Sequence, residues 1–154
     1  MPKDDAMLTQ RFTLVTLITT VVAIALNLGL YAIGRATGAA LKIDPALGQA
    51  DHAIILGDVV WKTAVPLALG AVVLALIARR SRRWTTIVIV AGAALDALSI
   101  PFVFTGAHDT MTGVLLAGMH TVGGVAYVVI GTRAHRDLAR GSRESAVRTR
   151  VSAP

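Results

Sequence analysis

The sequence predicts an all-α membrane protein, a bundle of four transmembrane helices with both termini in the cytoplasm. Three observations carry this. Apolar residues make up 55% of the chain and its mean hydropathy is +0.67, while only 16% of residues are charged. Soluble domains carry about 25% charge. Four runs are long and apolar enough to cross a bilayer, which takes about 20 residues. Finally, Lys and Arg are distributed very unevenly around those runs.

The first span covers Phe12 to Ile33, the second Val59 to Ala78, the third Trp84 to Phe104 and the fourth Thr110 to Ile130. The apolar run of the first is longer than the 7–15 residues of a signal-peptide core, so it reads as a span that stays. Lys3 and Arg11 precede it. Arg79, Arg80, Arg82 and Arg83 lie between spans two and three. Arg133, Arg136, Arg140, Arg143, Arg148 and Arg150 follow span four. Only Arg35, Lys42 and Lys62 fall on the opposite side. The positive-inside rule places the basic side in the cytoplasm. Tyr31 and Trp61 near the outer ends, and Trp84 and Tyr127 near the inner ends, read as interfacial aromatics.

Residues 1–133 thus form a single membrane domain, and 134–154 a basic tail that starts helical and ends disordered. The arginine turn is so short that spans two and three are expected to form a tight antiparallel hairpin. The longest connection runs from Gly34 to Asp58. Within it Asp44-Pro45 reads as an N-cap with Pro at the first helical position, the start of a short amphipathic or re-entrant helix. Span two is expected to bend near Pro66. No internal repeat of the transporter type is visible.

Charge and cysteine content narrow the chemistry. The net charge of +6 suits an anionic leaflet, with Arg79, Arg80, Arg82 and Arg83 at lipid headgroups, better than nucleic acid. The chain has no Cys, which rules out disulfides and thiolate-held metals or clusters. No H-E-x-x-H or G-x-S-x-G motif is present, and no phosphate-cradling glycine loop. With only His120 inside a span, two-histidine haem ligation is unsupported, and no cofactor or metal is expected. Ser99 and His120 differ in depth by about one helical turn, too far for a ready nucleophilic dyad.

Polar residues inside the spans are the informative ones. Span one carries Thr16, Thr20, Ala23, Asn27 and Gly34 along one face. Span three carries Gly92, Ala93, Asp96 and Ser99, and span four Gly113, Ala117, His120, Gly124 and Tyr127. Small residues let membrane helices approach closely, so these stripes should face one another with Val, Leu and Ile toward lipid. Asp96 and His120 both fall near mid-membrane at similar depth. Intramembrane ionisable groups mark function by default. A His–Asp bond that only clamps two helices is the plainer reading, and a proton-relay, ligand-binding or catalytic role the sharper one. On the outer side His52, Asp58, Lys62, His108 and Asp109 form a second group. Asp58 and Lys62 have the favourable i,i+4 order. His52, His108 and Asp109 would approach a metal site only if the loops met; loop residues of these types are usually just solvated.

Three stretches resemble a family of small, uncharacterised four-helix membrane proteins common in actinobacteria. They are NLGLYAIGRATGA, TAVPLALGAVVLALIARRSRR and LLAGMHTVGG, spread over roughly positions 14 to 133. The resemblance implies the four-span architecture and a plasma-membrane location, and supplies no activity. It covers Met119-His120 but does not extend to Asp96.

Three functional classes follow. The first is a non-enzymatic accessory or assembly protein acting through helix packing, as a homo-oligomer or with a membrane-protein partner. Four short spans leave little volume for a private substrate cavity, which favours it. The second is a small transporter or channel component using Asp96 and His120 for a proton or cation. The third is a membrane-embedded enzyme acting on a lipid or isoprenoid, which would need an apolar cavity open to lipid with both side chains in its wall.

Overall fold

A computed structural model describes the backbone of residues 3–45 and 48–151, with side chains for 7–45 and 48–137. Four helices dominate it: α1 (Lys3–Thr37), α2 (Leu56–Ala78), α3 (Arg82–Gly106) and α4 (Thr110–Val151). All four are long and apolar enough to cross a membrane. In lipid each backbone N–H and C=O must be satisfied within the protein, which such helices achieve. The segment past span four stays helical as far as Val151. The disordered end expected for the tail falls on residues 152–154, outside the described residues.

Local chemistry sets the helix ends. Gly38 closes α1 in the left-handed region, φ +76, and the Ala39 N–H reaches back to the Gly34 carbonyl at 3.0 Å. The Asp58 carboxylate accepts the Ile55 N–H at 3.1 Å where α2 begins. Ser81, extended, caps α3 by accepting the Trp84 N–H. Asp109 caps α4, accepting the Thr112 N–H at 2.9 Å.

The connection between α1 and α2 differs from the expected helix. Lys42–Ile43 (β1) and His52–Ala53 (β2) pair as a small antiparallel hairpin. Asp44 does not cap a helix; its Oδ1 instead accepts the Asp51 N–H at 2.7 Å, across the hairpin. The short α3–α4 loop joins this hairpin at its edge. The Asp44 N–H donates to the Gly106 carbonyl and the His108 N–H to that of Lys42. The hairpin end of the bundle therefore has a hydrogen-bonded cover, and the opposite end carries the arginine turn.

α4 is the hub, packed along both α1 and α3 and also against α2. Leu74, Ile130 and Ala134 are fully buried at the arginine end, with Ala71, Ala78 and Ala126 around them. Leu41, Ile54, Val59 and Leu115 form a second core beneath the hairpin. The small-residue stripes do face inward, as the sequence predicts. Large apolar side chains such as Leu17, Val21, Leu69, Leu95 and Phe102 face outward.

α2 and α3 are not the expected tight pair. They stay close at their arginine turn, where Thr85 is fully buried and is the sole buried residue of α3. Toward the hairpin end they separate, and each turns its inner face to a shared cavity. Tyr127 is also not an interfacial aromatic. Its ring lies over Gly70 and Gly92, and its hydroxyl donates to the Val88 carbonyl at 2.9 Å. Trp61 and Trp84 are 68% and 60% exposed, as membrane-facing aromatics would be.

Candidate functional site

The separation of α2 from α3 creates a cavity of about 700 Å³. That is within the range of small-molecule sites and larger than expected for four short spans. Its walls are mainly apolar. Val59, Leu67, Leu116 and Met119 supply part of the lining, and Tyr127 closes it toward the arginine end. Leu95 and Phe102 line it too, yet are 70% and 73% exposed, so the cavity opens sideways between α2 and α3. That side is one a bilayer would cover. Ile43, Asp44, Pro45 and Ile54 of the hairpin region lie over its end.

Three helices deliver these polar groups: Asn27 from α1, Asp96 and Ser99 from α3 and His120 from α4 all line this one cavity. On α3, the Asp96 carboxylate rests directly on Gly124 of α4, where any side chain would overlap it. Glycine at 124 is what admits the carboxylate. His120 sits one turn before Gly124, and no hydrogen bond joins it to Asp96. Its Nδ1 lies 3.0 Å from the Leu116 carbonyl. The Ser99 hydroxyl is turned back to the Asp96 carbonyl at 2.6 Å, so it is not paired with His120. Asn27 on α1 is 3% exposed and donates from Nδ2 to Thr63 Oγ1 of α2 at 2.9 Å. Its Oδ1 is buried without a partner.

The residues grouped on the outer side divide into three separate arrangements. Asp58 bonds His52 at 3.0 Å and lies 3.5 Å from Lys62, at the rim of the cavity. His108 instead meets Asp44 at 3.1 Å and Asp51 at 3.6 Å. Asp109 takes the Ala40 N–H and both the N–H and hydroxyl of Thr112. The loops do meet, but His52, His108 and Asp109 turn to different partners. Among the described residues no cluster of three or more metal-ligand side chains exists.

Two carboxylates outside the helices have altered acidity. Hydrogen bonds from the Thr112 hydroxyl and N–H hold Asp109 below the usual carboxylate range. The Asp51 N–H, followed by His108, does the same for Asp44.

Sequence reasoning missed Asp44, Asp51, Lys42, Thr63 and Thr112 as polar partners. For Thr112, Asp109 just ahead of the apolar run of α4 is itself an N-cap signal. The others depend on the hairpin or on which helices touch.

A family model described as a family of unknown function, DUF6069, matches residues 8–137. The chain belongs to DUF6069. The DUF6069 match takes in the hairpin, all four spans and every residue of the cavity wall. No curated protein and no solved structure matches the chain.

Proposed function

We propose that this protein takes a small amphipathic molecule from the bilayer into a mid-membrane cavity, acting as a binding or transport component. The observation that carries the reading is the sideways-open, mostly apolar cavity with Asn27, Asp96 and His120 in its wall. An apolar site with a few fixed polar groups is the usual form of a small-molecule site. Polar groups kept at mid-membrane are costly unless used.

Helix packing with a partner is the less favoured function, because the small-residue stripes are already used within the chain. Gly92 faces Tyr127, Gly113 faces Phe104, Gly124 faces Asp96 and Gly131 faces Ile89. A lipid- or isoprenoid-modifying enzyme is the second reading. What favours it is that Asp96 and His120 both stand in the wall of a cavity open to the lipid side. The exposed Arg80 and Arg83 suit anionic headgroups, consistent with the arginine end lying in the cytoplasm of a plasma-membrane protein.

Gly123 provides the test. It lines the cavity, and a Cβ there would meet nothing within 4 Å. Gly123→Trp should project an indole into the cavity from a position where its first carbon meets no neighbour. In liposomes, neutral, cationic and anionic hydrophobic fluorophores would be compared for saturable binding and for movement across the bilayer. The expected outcome is binding of at least one class by the wild type, lost in Gly123→Trp at unchanged thermal stability. Equal behaviour of the two proteins toward every fluorophore would sink the cavity reading. Chemical conversion of an added lipid, abolished by Asp96→Asn, would favour the enzyme.

A further inference from the structure

Away from Lys62, which stands beside Asp58 at the rim, the hydrogen-bonding capacity that Asn27, Asp96 and His120 leave in the cavity wall is of one kind. Thr63 donates its hydroxyl hydrogen to the Val59 carbonyl at 2.7 Å, so Thr63 Oγ1 can only accept from Asn27. This fixes the Asn27 amide with Nδ2 toward Thr63, and makes its unpartnered buried atom an oxygen, an acceptor. A carbonyl cannot donate, so His120 Nδ1 must give its hydrogen to Leu116. In the neutral ring Nε2 is then a free lone pair. Among the described residues no group donates to the Asp96 carboxylate. Three walls from three helices therefore offer Asn27 Oδ1, Asp96 and His120 Nε2, all acceptors. Three carboxylates, Asp44, Asp58 and Asp96, line the cavity against a single ammonium, Lys62, which already lies beside Asp58.

Building on the cavity reading above, we propose that the ligand is a lipophilic primary amine in its ammonium form, its N–H groups meeting Asp96, His120 and Asn27. Such a head supplies three donors and the missing positive charge, and its apolar body suits walls such as Leu67, Leu95, Phe102 and Met119. A quaternary ammonium brings the charge without donors, and an alcohol a donor without the charge. A carboxylate or phosphate brings a like charge and further acceptors, and is excluded by the same inventory.

The test uses the full chain in phosphatidylcholine nanodiscs, with empty nanodiscs as the blank. Binding of radiolabelled decylamine is measured at equilibrium and displaced by decyltrimethylammonium, decanol or decanoate. Decylamine should bind saturably and compete at least about tenfold better than decanol or decanoate, the ratio expected of one charge-assisted bond. Asp96→Asn, nearly identical in shape, should weaken decylamine by about tenfold or more and leave decanol unchanged. Asn27→Leu should weaken decylamine by a smaller factor, with thermal stability recorded for both variants. If decanol or decanoate matches decylamine, or Asp96→Asn binds it unchanged while Gly123→Trp does not, the amine assignment is overturned and the cavity stands. If nothing binds saturably, the cavity reading itself is overturned.

Discussion

Thr112 is fully buried and its hydroxyl serves two elements at once. It donates to the Asp109 carboxylate and accepts the Leu41 N–H at 3.0 Å, joining the hairpin region to the start of α4. Thr112→Val keeps the volume but leaves the N–H of buried Leu41 without a partner. A loss of about 1–3 kcal/mol is expected in thermal or denaturant unfolding, with Thr112→Ser recovering most of it. Acid should act on the same region. Asp109 and Asp44 have folded-state pKa values below their unfolded ones, so the stabilisation they give is complete above the ordinary carboxylate pKa. It is lost as pH falls through the lowered folded values. Protection of the Ala40, Leu41 and Asp51 amides against hydrogen exchange, relative to their intrinsic rates, should fall below about pH 4 while the helices stay protected. Deeper in the bundle, Asp96 and His120 share a cavity but no hydrogen bond. A double-mutant cycle with Asp96→Asn and His120→Ala should give a stability coupling under about 1 kcal/mol, and a larger value would mean a direct clamp.

At the scale of elements, glycine decides how close the helices come. Gly92 lies under the Tyr127 ring, whose hydroxyl is anchored on Val88, so a methyl group there has nowhere to go. Gly92→Ala should destabilise by about 1–3 kcal/mol through overpacking. Gly29, with nothing within 4 Å of a Cβ, is its internal control. Gly29→Ala should be neutral or mildly stabilising because alanine is the better helix former. Unfolding in detergent distinguishes the two. Pro66 acts differently. It removes the N–H that would bond the Lys62 carbonyl, in the stretch of α2 that lines the cavity. The bend expected there coincides with the region where α2 and α3 diverge.

For the whole molecule, the two ends differ in kind: a hydrogen-bonded cover of hairpin and loops at one, a cluster of arginines at the other. The proposed orientation puts the arginines in the cytoplasm. A chain without Cys makes this easy to examine. Ala50→Cys, in the exposed hairpin turn, should react with a membrane-impermeant thiol reagent in intact cells. Arg80→Cys should react only after permeabilisation. The reverse pattern would invert the assignment. The cavity belongs to this scale as well, since no single helix or pair of helices encloses it.

The sequence by itself determined the four spans and their inward-facing small-residue stripes. Each follows from short-range rules. A bilayer demands runs of about 20 apolar residues, and a helix puts residues three or four apart on one face. Only the tertiary structure decided what those faces enclose. Adjacent helices joined by a short turn were expected to pack along their length, yet α3 follows α4 because Gly92, Gly113, Gly124 and Gly131 admit Tyr127, Phe104, Asp96 and Ile89. That preference draws α3 away from α2 and opens the cavity. The hairpin over residues 42–53 was equally hidden, because its pairing partners are set by where α1 ends and α4 begins. Asn27 and Asp96 were legible as polar residues inside apolar spans. That both are left as open acceptors in one cavity depends on which neighbours reach them, which is a property of the assembled bundle.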